Sequence, residues 1–138
     1  MKKTSGYSRT ILAVFVANIL FAPSSFAALT ATPTQYGDNA SAGAPTASAF
    51  GSYANASASD ATAIGSNSKA SGNQSTAVGH TAWATGQSSS AFGENSTASG
   101  NNSTSTGSHS SASGELSTAS GYFSDAQGAR ATATGAHS

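Results

Sequence analysis

The stretch ATAIGSNSKASGNQSTAVG, from Ala61 to Gly79, carries glycine at Gly65, Gly72 and Gly79, seven residues apart. Gly86, Gly93, Gly100, Gly107, Gly114, Gly121, Gly128 and Gly135 continue the beat, and from Gly65 onward no glycine falls off it. A glycine inside ordered structure costs about 0.5–1 kcal/mol relative to alanine. Eleven of them cost on the order of 5–11 kcal/mol, as much as the whole stability of a small domain. Something must offset that, and the candidate is close approach of backbones that a larger side chain would block.

The residues between the glycines say which backbones. Two positions before each glycine stands alanine, from Ala63 to Ala133, with Ser105 the one exception. Four positions before stands serine or alanine, as in Ala61, Ser68 and Ser75. Two polar residues follow, such as Ser66-Asn67 or Asn101-Asn102. A heptad coiled coil needs bulky apolar residues at two positions, and here the fixed position is one of the poorest helix formers. Within a unit the period is two, which describes a short strand with one face of small side chains. The polar pair makes the turn. Two small-faced strands lying back to back, stacked coil on coil, give a thin β-solenoid or β-roll.

The size of one coil is read from the residue before each glycine. Phe50, Ile64, Val78 and Phe92 recur every fourteen residues, while Ser71, Thr85 and Ser99 precede the glycines between them. One coil is therefore two strands and two turns, fourteen residues in all. Stacking places the apolar column at about 4.8 Å intervals. On a single chain it would be an exposed hydrophobic stripe, which marks an interface, so self-association in a closed oligomer is expected. The column becomes Thr106, Ser120 and Thr134 further on, and Leu116, Tyr122 and Phe123 stand at turn positions instead.

Outward from the repeat, the N-terminal end differs. Lys2, Lys3 and Arg9 precede an apolar run from Ile11 to Phe21, then Pro23 and the small-residue site Ser25-Phe26-Ala27. This reads as a secretory signal peptide over residues 1–27; the run is too short for a membrane span, which needs about 20 apolar residues. Residues 28–46 read as an irregular lead-in or cap, because Ala44 and Ala58 stand where glycine is expected, and residues 47–138 as the repeat domain. After residue 27 the charged residues are Lys69 and Arg130 against Asp38, Asp60, Glu94, Glu115 and Asp125, two positive and five negative, net −3. That excludes a polycation, and no nucleic acid is expected as a partner. There is no cysteine, so stability in an exported chain must come from the repeat itself.

The stretches DATAIGSNSKASG, QSTAVGHTAWATG and QSSSAFGENSTASG closely resemble the head repeats of trimeric autotransporter adhesins of the YadA-like class. The similarity runs from about Ala47 to Ser138. It implies a left-handed parallel β-roll of 14-residue coils, three chains of which pack around a common axis. Ile64, Val78 and Phe92 match the family's inward hydrophobic position, and Phe50 fits it by phase. It also implies an adhesin head that binds host matrix proteins or cell surfaces at the bacterial surface. The family's neck, coiled-coil stalk and outer-membrane anchor are not matched. The expectation is thus a fragment, a truncated product, or a head that is secreted or periplasmic, with no membrane insertion by this chain itself.

Chemistry-bearing constellations are not evident. A catalytic serine needs a base and an orienting group, and only His80, His109 and His137 offer an imidazole. His109 and His137 share a turn register two coils apart, about 9.6 Å, too far for one metal ion. The carboxylates are scattered, no phosphate-binding loop is present, and the six Asn-x-Ser/Thr sequons follow from composition. No enzyme activity, cofactor or metal is expected. Trp83 stands out on the polar strand, one coil from Lys69, and the two are candidate ligand-surface residues. Two further functions remain open from the residues alone: a monomeric ice-binding solenoid, suggested by Thr104/Thr106 and Thr132/Thr134, and a passive structural spacer.

Overall fold

The computed structural model describes residues 33–138; the leader expected over 1–27 and the first residues of the lead-in lie outside them. The chain winds as a parallel β-solenoid with two strands per coil. Eight three-residue strands, from β1 (Thr34–Tyr36) and β3 (Ser48–Phe50) to β15 (Thr132–Thr134), form one sheet. Seven two-residue strands form the other, including β2 (Ser41–Ala42), β4 (Asn55–Ala56), β6 (Lys69–Ala70), β8 (Trp83–Ala84) and β14 (Asp125–Ala126). Every pairing is parallel and shifted by fourteen residues, as in Ala63↔Ala77 and Ala70↔Ala84. The expected coil length is the observed one.

The interior is built from alanine and serine. Ala49, Ala63, Ala77 and Ala91 line the first sheet, and Ala56, Ala70, Ala84 and Ala98 the second, all fully buried. Among the described residues the largest fully buried side chains are serines. A buried hydroxyl needs a partner, and at most of these serines the turn supplies it; Ser75 and Ser103 Oγ are buried without one. Ser68 Oγ donates to the carbonyl of Gly65 at 2.9 Å, and Ser89, Ser96, Ser110, Ser117 and Ser124 donate to the glycine three residues back in the same way. Ser105, which replaces alanine in its column, meets Ser110 Oγ at 2.6 Å. The serine of the repeat is therefore a turn lock as well as a small core residue.

The glycines act along the stack rather than across it. The repeat suggested that glycine lets the two small-faced strands approach back to back. Instead, a Cβ built on Gly51 would lie 2.7 Å from the carbonyl carbon and oxygen of Gly65, one coil along. The coils are stacked at strand spacing through their corners, where no side chain fits. Alternate glycines also carry a second constraint: Gly65 has φ +125°, a conformation L-residues rarely adopt. The intervening glycines do not, so Ala44 and Ala58 in that column meet only the close approach of the next coil and not the strain of a positive φ.

Each turn contains one left-handed residue, two positions after the glycine: Asn39, Tyr53, Asp60, Asn67 and so on to His137, with φ from 52° to 60°. Its N–H continues the ladder, as in Asn67 N–H to Ser52 O at 2.9 Å. Thr46 is the exception. It follows Pro45, its φ is not positive, and its Oγ1 accepts the Asp60 N–H at 2.9 Å. The irregular lead-in expected over 28–46 meets an ordered coil instead, because β1 and β2 pair in register with β3 and β4. Ala44 and Pro45 disturb one turn without breaking the strands around it.

Candidate functional site

Two surfaces on opposite sides of the roll carry unusual side chains. The first is the outer column of the eight-stranded sheet. Tyr36, Phe50, Ile64, Val78, Phe92, Thr106, Ser120 and Thr134 are successive ladder partners. Strand alternation turns them away from the alanine core. Phe50, Ile64 and Phe92 are 38%, 41% and 40% exposed in the single chain. Three large apolar side chains in one line, left open to water, form a contiguous stripe. The stripe ends at Thr106, while the backbone ladder runs on unchanged to β15. The loss of apolar residues after Phe92 therefore comes with no break in the strand pairing.

The second surface lies on the seven-stranded sheet and its adjoining turns. Lys69 and Trp83 are directly opposed ladder partners, with Asn55 on the other side of Lys69. The neighbouring turn column places Tyr53, Asn67 and Thr81 alongside them. Together with Ser68 in the floor they bound an open hollow of about 390 Å³. Tyr53 and Trp83 are both exposed and stand two coils apart, at opposite ends. The Oδ1 atom of Asn55 is buried without a hydrogen-bond partner. Lys69 and Trp83 were legible in the sequence. Tyr53 and Asn55 were not, because they fall in the coil where alanine replaces the alternate glycine. The fourteen-residue period, applied to Thr81 and Lys69, was the signal that would have found them.

A third cluster was also missed. Phe123 lies between two imidazoles of its own turn column, stacked on His109 at 4.6 Å and on His137 at 5.5 Å between ring centroids. Tyr122 meets Phe123 and His137 edge-on at 4.5 and 5.5 Å. The two histidines are held apart by that phenyl ring. Among the described residues no group of three or more His, Cys, Asp or Glu side chains stands close enough to hold a metal ion.

Fourteen-residue coils, a small-residue core and one hydrophobic flank define a repeat protein of the parallel β-solenoid class. The family model for the YadA head domain repeat matches residues 42–68, 56–82, 84–110 and 112–138. The chain belongs to the YadA head repeat family. No curated protein matches the chain. The family is that of adhesin heads, a broadly adhesive and generally non-enzymatic class.

Proposed function

We propose that the chain is the adhesive head of a bacterial surface fibre, a homotrimer that binds host matrix proteins or cell surfaces without catalysis or cofactors. The observation that carries this is the outer column of exposed Phe50, Ile64 and Phe92 with half-buried Val78 on a head-repeat fold. Burying each such side chain contributes about 1.5–3 kcal/mol, and three chains sharing one axis bury three columns together. The roll is left-handed in this reading, and the residues that meet at the axis are those four. The seven-stranded sheet then faces outward, with Trp83 and Lys69 on the ligand side. Repeated shallow contacts from three chains would gain avidity from multivalency. Residues 1–27 direct export, and the coils of the head begin before residue 47, with β1 and β2 already in register. The head acts at the cell surface when joined to an anchor, and otherwise in secreted or periplasmic form.

The test is the solution mass by light scattering over a wide concentration range, followed by binding to surfaces coated with matrix proteins. A trimer that binds supports the reading; a monomer that stays monomeric at high concentration overturns it. A second reading, an ice-binding face, draws on the rungs Thr104/Thr106, Thr118/Ser120 and Thr132/Thr134, which lie in register. Five rungs bearing Tyr, Phe, Ile, Val and Phe interrupt that face. Thermal hysteresis from a monomer would favour it.

A further inference from the structure

We propose that the hollow bounded by Tyr53, Asn55, Lys69 and Trp83 is a saccharide site that takes a sugar carrying a carboxylate. The proposal rests on the adhesive reading and supplies its ligand class. Four observations converge on it.

The hollow has an aromatic ring at each end, Tyr53 and Trp83, offset by two coils, about 9–10 Å along the stack. An aromatic face is electron-rich, and the polarised C–H groups on one side of a pyranose ring lie flat against it. Between the rings the lining is amide, hydroxyl and ammonium: Asn55, Asn67, Ser68, Thr81 and Lys69. Amides both donate and accept, which suits adjacent ring hydroxyls. The Asn55 carbonyl oxygen is buried and unpartnered, an acceptor still needing a donor. The terminal torsion of Asn is broad, so a small rotation presents that oxygen to a ligand hydroxyl. A volume of about 390 Å³ falls within the roughly 300–1,000 Å³ of small-ligand sites.

Charge selects the kind of sugar. Lys69 and Arg130 are the only lysine or arginine residues among those described, against five carboxylates. Lys69 has neutral ladder neighbours on both sides, Asn55 and Trp83. An anion that the rest of the surface repels meets one compact cation with three donors. The same chemistry is offered by a sialic acid and by a uronic acid.

The backbone argues against an acidic peptide. Extended peptides are commonly held by pairing with an open strand edge. Here β6 is paired with β4 on one side and β8 on the other, so the floor of the hollow offers no edge. Recognition must come from side chains alone, as a sugar requires.

The chain holds one tryptophan, so its intrinsic fluorescence reads Trp83. The full chain is titrated with sialyllactose, with a glucuronate-containing disaccharide, and with neutral lactose. The expected result is a saturable change with at least one acidic sugar and affinity for lactose weaker by about tenfold or more, the scale of one charge-assisted hydrogen bond. Lys69→Gln should abolish that preference while leaving the ladder intact. Tyr53→Ala should weaken every sugar by roughly tenfold, and Arg130→Gln should change nothing. Equal affinity for lactose and the acidic sugars overturns the carboxylate assignment. A response to an oligoglutamate peptide but to none of the sugars overturns the saccharide assignment. The matrix-binding assay on the same sample separates the two levels. Retained matrix binding with Trp83 silent to every sugar sinks the saccharide site alone. Loss of both sinks the adhesive reading as well.

Discussion

The two halves of the roll share one backbone and differ in one column. From β1 to the strand ending at Phe92 the outer residue is Tyr, Phe, Ile, Val and Phe; from Thr106 to Thr134 it is Thr, Ser and Thr. The ladder register is the same on both sides of that boundary, and the small interior and turn positions are kept, with Ser105 for alanine on one side and Ala44 and Ala58 for glycine on the other. The outer column therefore does not make the coil. The coil follows from what must be small, and the column is free to specify what the coil meets. Breaking the column in each half is the strongest test of this division.

Ile64→Asp should abolish self-association of the chain. In the proposed trimer it removes about 1.5–3 kcal/mol of burial per chain and places three unpaired carboxylates at one level of the axis. Light scattering should show the monomer at concentrations where the unchanged chain forms the proposed trimer, while circular dichroism retains its strand signal. Thr106→Asp, on the hydroxyl side, should shift the association constant by less than about tenfold. Equal loss in both halves would mean that the chains meet along the whole face and that the apolar stripe has no special part.

Glycine substitutions should show the opposite symmetry. Gly79→Ala and Gly121→Ala each place a methyl 2.7 Å from the carbonyl carbon of the glycine one coil along, at Gly93 and Gly135 respectively, and each sits at positive φ. Both should lose about 2–4 kcal/mol, and by similar amounts, because both halves use the same corner. Thermal unfolding checks it. A large difference between them would show that the halves are not one structure. Extending the stripe with Thr106→Ile and Ser120→Val should tighten association by about 1–2 kcal/mol per chain without moving the monomer's stability.

The coil length, the small interior and the outward apolar column are legible because each is a period, and fourteen-residue stacking turns a period directly into a line in space. The reason for glycine is not, since a repeat shows that a position must be small without showing what lies next to it. Gly51 faces Gly65 along the stack, a neighbour fourteen residues away rather than across the roll. The hollow was half legible. Lys69 and Trp83 stand out as unlike residues in a uniform column, whereas Tyr53 is a turn residue whose ring reaches the same hollow only because the turn column runs beside the strand column. The Phe123 stack was hidden for the same reason. His109 and His137 can be counted two coils apart, but nothing in the spacing says that the ring between them fills the gap.

The turn residues offer the finest comparison, because one backbone conformation is imposed on fourteen positions that carry ten kinds of side chain. The left-handed region suits Asn and Asp and disfavours β-branched residues. Asn39, Asp60, Asn67, Asn95 and Asn102 obey that preference, while Thr81 in the first half and Phe123 in the second do not. Thr81→Asn should raise stability by about 0.5–1 kcal/mol, since it relieves strain and Thr81 makes only a surface contact, 3.2 Å from His80 Nδ1. Phe123→Asn relieves the same kind of strain but removes two stacked contacts and one edge-on contact. Aromatic pairs contribute about 0.5–1.5 kcal/mol, so the change should lie within about 0.5 kcal/mol of zero or be destabilising. Denaturant titration of the two variants resolves the sign. If Phe123→Asn stabilises as much as Thr81→Asn, the histidine–phenylalanine stack contributes nothing to holding the last coils together.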